Sequence, residues 1–92
     1  MVRMPTFISL TKWKKSPKNE KETVENFTKK LEELEKQGIK MSVYWTLGRY
    51  DAVSVIEAPS EKDVMRILLP LLDVIDSETM VAVPREEAMK LL

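Results

Sequence analysis

The side chains best able to do chemistry crowd into one stretch of eight residues, Tyr44-Trp45-Thr46-Leu47-Gly48-Arg49-Tyr50-Asp51. It holds a carboxylate, a guanidinium and two phenols. The chain has no His and no Cys, which removes thiol nucleophiles, His-based triads, zinc fingers and disulfides. Any catalytic site would have to rely on Asp51, Tyr44, Tyr50, Trp45 or Arg49. Asp51 stands just beyond a tight turn and is followed by apolar strand. Such a carboxylate either braces the turn by accepting backbone N–H groups, or acts as a buried base or an acceptor for a ligand amine. Tyr44, Trp45, Tyr50 and the distant Trp13 either line an aromatic cleft, between sheet and helices or between subunits, or simply pack a core. Buried Tyr and Trp need hydrogen-bond partners, which suits a half-polar pocket. The candidate ligand-binding set is therefore Asp51, Tyr50, Arg49, Tyr44, Trp45 and Trp13.

Other polar groups offer less. Glu57 and Glu78 fall on strands, where with Lys12 and Arg49 they form either a polar cluster or a solvated rim. Asp73, Asp76, Glu78, Glu86 and Glu87 match no EF-hand spacing, so no metal is expected. Lys12, Lys14, Lys15 and Lys18 surround Trp13, and an aromatic among lysines can stack on a base. No RNA-binding motif accompanies them, and fifteen basic residues balance fifteen acidic ones. A solvated loop, with no nucleic-acid partner, is the reading. The charge is nevertheless uneven, +4 over residues 1–40 and −4 over 41–92. A Lys/Glu-rich surface helix explains this, as does a basic face meeting an acidic one across a subunit contact.

Around these residues the chain must supply a scaffold. At 92 residues it is expected to form one domain, residues 1–92. A composition 43% hydrophobic and 33% charged is too apolar for disorder. The longest apolar run, Ile67 to Leu72, is far short of the roughly 20 residues that cross a bilayer, so no membrane partner is expected. With no export or anchoring signal visible, a cytoplasmic protein is expected.

Met4 to Trp13 reads as a strand with bulky groups on both faces, Phe7 and Trp13 on one, Ile8 and Leu10 on the other. Ser16-Pro17, or slightly later Asn19 with Glu22, opens a helix whose Val24, Phe27, Leu31 and Leu34 form one apolar stripe. Gly38 ends it as a left-handed cap. Lys40 to Leu47 and Tyr50 to Ala58 alternate as strands, with Gly48-Arg49 between them as a two-residue type II′ turn. Ser60 with Asp63 caps a second helix bearing Val64, Ile67, Leu68 and Leu71, and Pro70 stops it near Leu69. Ile75 to Val83 is the last strand, and Pro84-Arg85-Glu86-Glu87 opens a short terminal helix.

The order β-α-β-β-α-β with a tail helix is the ferredoxin-like, split βαβ arrangement of an α+β fold. Right-handed crossovers put both long helices on one face of a four-stranded antiparallel sheet. Phe7 or Ile8, Trp45 or Tyr44, and Val53 or Ile56 must then point to the bare face. An apolar patch of that kind predicts a homodimer packed sheet to sheet.

The hairpin Tyr44-Trp45-Thr46-Leu47-Gly48-Arg49-Tyr50-Asp51, continuing Ala52-Val53-Ser54-Val55-Ile56-Glu57-Ala58-Pro59, resembles the GYD domain family, named for its Gly-x-Tyr-Asp stretch. Met4 to Trp13 resembles the family's opening strand, and Ser77-Glu78-Thr79-Met80 its last. The single Gly38 after the first helix and Pro70 before the last strand depart from the usual pattern. The resemblance implies a ferredoxin-like domain of the dimeric α+β barrel kind and no established activity. The hairpin is also similar to that of the effector-binding domains of Lrp/AsnC regulators, although no helix-turn-helix segment precedes the first strand here. Three functions follow. The first is a dimeric small-molecule-binding or regulatory module. The second is an enzyme of the cofactor-independent monooxygenase or isomerase kind with a pocket near Gly48–Asp51. The third is a structural subunit of a larger assembly. No cofactor is expected in any of them.

Overall fold

Alternation decides where each strand side chain goes, and in the first strand it settles which of two bulky faces is buried. The computed structural model describes residues 4–92. Strand β1 (Thr6–Trp13) buries Phe7, Ser9 and Thr11 and leaves Ile8 and Leu10 half-buried. Pairing begins at Thr6 rather than Met4, since Pro5 has no N–H to give. Its carbonyl still accepts the Ala58 N–H at 3.3 Å.

The chain continues through α1 (Lys21–Lys36), β2 (Lys40–Trp45), β3 (Ala52–Glu57), α2 (Glu61–Leu68), β4 (Ile75–Ala82) and α3 (Arg85–Met89). The four strands form one antiparallel sheet in the order β2-β3-β1-β4. Register places Phe7 opposite Ile56, Ser9 opposite Ser54 and Thr11 opposite Ala52. All six belong to one face, and α1 and α2 cover it: Phe7 and Ile56 form a buried cluster with Leu34, Ile39, Ala58, Val64 and Ile67. On the opposite face Ile8, Leu10, Val53 and Val55 stay half-buried, while Tyr44 and Met80 are exposed. No helix among the described residues is long and apolar enough to cross a membrane.

The helix boundaries follow local chemistry. Ser16 does act as a cap, but its Oγ accepts the Lys18 N–H at 3.3 Å and so starts a separate 3-10 turn, Pro17–Asn19. Helix α1 begins only at Lys21, with Glu20 rather than Asn19 at its N-cap position. Val24, Phe27 and Leu31 of its stripe are half-buried and only Leu34 is fully buried. Ser60 N–H donates to Asp63 Oδ2 at 3.2 Å, the box expected at the head of α2. Pro70 stops that helix at Leu68 by turning the next residues into a 3-10 turn, Leu69–Leu71.

The end of α1 is a Schellman motif. Ile39 N–H reaches the Leu34 carbonyl at 2.9 Å and Gly38 N–H the Glu35 carbonyl at 3.1 Å, with Leu34 and Ile39 both buried beneath. Gly38 has φ +83° and no atom near enough to obstruct a Cβ. The cost of Gly38→Ala is therefore conformational alone, about 1 kcal/mol. Thermal unfolding should show a Tm lower by roughly 4–8 °C. An unchanged Tm would mean that the cap does not hold the α1–β2 corner.

The hairpin turn also differs from expectation. Strands β2 and β3 stop at Trp45 and Ala52, and the loop Leu47–Tyr50 replaces the two-residue turn. Thr46 closes it, donating its N–H to the Asp51 carbonyl and its Oγ1–H to the Tyr50 carbonyl, both at 2.8 Å. Gly48 at φ +113° supplies the left-handed step.

Candidate functional site

Small side chains in the floor of a sheet leave room beneath the helices. Thr11, Ala52 and Ser54 share the helix-facing side of β1 and β3, where bulky residues would reach α1. A half-open cleft of about 130 Å³ lies over them, roofed by Val24 and Phe27 of α1 and closed at one end by Leu68 and Leu71. Trp13 and Trp45 stand at its edge, where β1 and β2 run out. Their rings meet edge to face, centroids 5.0 Å apart and planes at 73°. The lining is almost wholly apolar, and among the described residues its only ionisable members are Lys15, which is exposed, and Glu20.

Asp51 holds this edge together without entering the cleft lining. Its Oδ2 accepts the Trp13 N–H at 2.9 Å, and its own N–H donates to the Thr11 carbonyl at 2.8 Å. The loop after β2 is thus fastened to the end of β1 on both sides of one residue. These are the bonds of a brace, and the ones that set the backbone of Trp13.

Arg49 and Tyr50 lie elsewhere. They join Lys12, Asp76 and Glu78 around a shallow cavity of about 150 Å³ at one end of the open sheet face. The Tyr50 hydroxyl donates to Glu78 Oε2 at 3.1 Å, and the Arg49 guanidinium lies 5.8 Å from the Tyr50 ring centre. Glu57 is at the far end of β3, opposite Lys40 and Thr6, so the cluster of Lys12, Arg49, Glu57 and Glu78 forms without Glu57. Tyr44 projects from edge strand β2 on the open face, 60% exposed. The six candidate residues are therefore divided: Trp13 and Trp45 border the cleft, Asp51 braces them, and Arg49, Tyr50 and Tyr44 belong to the other side of the sheet.

The lysines around Trp13 also diverge. Lys14 Nζ donates to the Leu72 carbonyl at 2.8 Å and lies 3.5 Å from Asp76. Lys12 faces the open side and Lys15 the cleft mouth. Among the described residues no three His, Cys, Asp or Glu side chains converge on a point where a metal could be held. The residues not anticipated are the small ones, Thr11, Ala52 and Ser54. The available signal was a run of Ser and Thr at alternate positions of strands otherwise rich in Val and Ile.

No curated protein matches the chain. The family model of the GYD domain matches residues 7–92, from the second residue of β1 through the cleft, hairpin and open face to three residues past the terminal helix. The chain belongs to the GYD domain family.

Proposed function

We propose that this protein is a small-molecule-binding module of regulatory role, working as a homodimer in which two open sheet faces pack into an α+β barrel. The observation that carries the binding half is the cleft between Trp13, Trp45 and the small-residue floor. It is concave, apolar and held by regular elements, as ligand sites commonly are. The dimer half rests on the half-buried Ile8, Leu10, Val53 and Val55 of the uncovered face and on the strand order β2-β3-β1-β4, which suits a ferredoxin-like barrel subunit.

Binding is favoured over the monooxygenase or isomerase reading by the same lining. General acid–base work needs a titratable group within hydrogen-bond reach of the substrate. Here, among the described residues, the only ionisable lining groups are Lys15 and Glu20, and Asp51 Oδ2 is engaged by a backbone amide.

The chain's two tryptophans both border the cleft, so they report directly on its contents. Titration with the neutral apolar fluorophore N-phenyl-1-naphthylamine should quench tryptophan emission and sensitise the dye in a saturable way. Ala52→Leu, which fills the floor beside Trp45, should weaken that binding at least about tenfold while leaving the fold intact. Dye binding indifferent to Ala52→Leu would overturn the assignment of the cleft.

A further inference from the structure

Two hydroxyls in the cleft floor have no partner among the described residues, and their chemistry narrows the ligand. Thr11 and Ser54 are 7% and 5% exposed, yet neither side chain hydrogen-bonds to any described residue. The next pair along the same face is different. Ser9 Oγ and Thr79 Oγ1 are 3.1 Å apart and satisfy each other. Nor are the two free hydroxyls sealed in, because among the described residues no fully enclosed side-chain N or O atom is without a partner. Both residues line the cleft, so its space is where these oxygens open. Two hydroxyls without a protein partner, opening from a largely apolar wall, are free to hydrogen-bond a ligand in the cleft.

Building on the binding function proposed above, we infer that the cleft takes a neutral molecule of about one ring in size. Its single carbonyl or hydroxyl group would be received by Thr11 and Ser54. Thr11 lies opposite Ala52, and Ser54 two residues further along β3, so the two are diagonal neighbours. That puts them roughly 7–8 Å apart in Cα terms, a span one oxygen can bridge from between them. Hydroxyls both donate and accept, so either ligand group suits. Neutrality follows from the wall. A carboxylate or ammonium at the floor would be taken out of water, and the ionisable lining groups among the described residues are Lys15, which is exposed, and Glu20, whose carboxylate accepts the Thr23 hydroxyl. The space over the floor, about 130 Å³, is close to the roughly 150 Å³ of an engineered apolar cavity that holds benzene, so one ring fits there with its far side toward the open edge. The edge-to-face pair Trp13 and Trp45 offers ring surface at the open side.

Three probes that share a tolyl group separate the contributions: p-cresol, toluene and p-toluate. Their binding is read from the indole N–H signals of Trp13 and Trp45 in nuclear magnetic resonance titrations. p-Cresol should bind about tenfold more tightly than toluene, the worth of one well-placed hydrogen bond, and p-toluate should not saturate. In the double variant Thr11→Val, Ser54→Ala that preference should fall to about one. Thermal unfolding should show the double variant about as stable as the parent, because it removes no hydrogen bond to a described residue. Ser54→Ala alone, the milder change, should remove part of the preference. Equal binding of p-cresol and toluene to the parent would overturn the hydroxyl assignment and leave the cleft a ligand site. So would a preference that survives in the double variant. p-Toluate binding as tightly as p-cresol would overturn neutrality. If none of the three binds, the binding function itself fails.

Discussion

Asp51→Ala is expected to destabilise the protein by about 2 kcal/mol, the cost of removing an ionised acceptor from a partly buried amide. For a chain of this length that lowers Tm by roughly 10 °C. The amide is Trp13 N–H, at 2.9 Å from Oδ2, and nothing in the truncated side chain would replace it. Asp51→Asn keeps an acceptor oxygen in the same place and gives up the charge, so about half the loss is expected. The effect should also be visible beyond stability. Trp13 is held at the cleft edge through that backbone bond and packs on Trp45 with centroids 5.0 Å apart. Loosening it should reduce the near-ultraviolet dichroism of the tryptophan pair in the folded Asp51→Ala protein and weaken dye binding with it. A base would behave otherwise: Asp51→Asn would abolish a reaction and leave both the fold and the tryptophan signal untouched. An Asp51→Ala protein of parental stability with an unchanged tryptophan signal would show that the brace carries no load.

Much of the scaffold was legible because its signals are local. Ser60 and Asp63 meet in three residues, Gly38 needs only its own φ, and Pro70 acts on the residue before it. The hairpin was not, because its geometry is decided from outside. Asp51 N–H turns to the Thr11 carbonyl and Oδ2 to Trp13, some forty residues away in sequence, and the loop Leu47–Tyr50 lengthens to allow it. The choice of face was also ambiguous. Phe7 and Ile8 are equally able to fill a core, and register with Ile56 buried the parity that brings Ser9 and Thr11 inside. The cleft floor was harder to read, because small polar residues on a strand fit either face, and here they are covered by α1 and α2. The division of the candidate set, by contrast, was written in the alternation. Tyr44 and Trp45 are neighbours on one strand and must face opposite sides of it. Sequence proximity gathered residues that the pleat separates.

Ile8→Lys is expected to convert the proposed homodimer to a folded monomer, with the dimer dissociation constant raised at least about 100-fold. Ile8 lies on the inner strand β1, opposite Val55 on one side and Met80 on the other, at the middle of the open face. In a monomer a lysine there can lift its ammonium into water along its own methylenes, so folding is spared. In a face-to-face dimer the symmetry brings in two such charges, each taken out of water without a counter-ion at a cost of several kcal/mol. Ile8→Val removes one methylene and should leave the dimer intact. Sedimentation velocity distinguishes these outcomes, as a halving of mass for Ile8→Lys alone. A parent protein that sediments as a monomer at all concentrations would remove the dimer from the proposal. Ile8→Lys also separates assembly from binding, because Ile8 is on the face away from the cleft. Its monomer should bind the neutral dye as the parent does. If dye binding were lost together with the dimer while far-ultraviolet dichroism stayed native, the site would be one that the second subunit completes. The single-chain cleft between the sheet and α1 would then be only part of it.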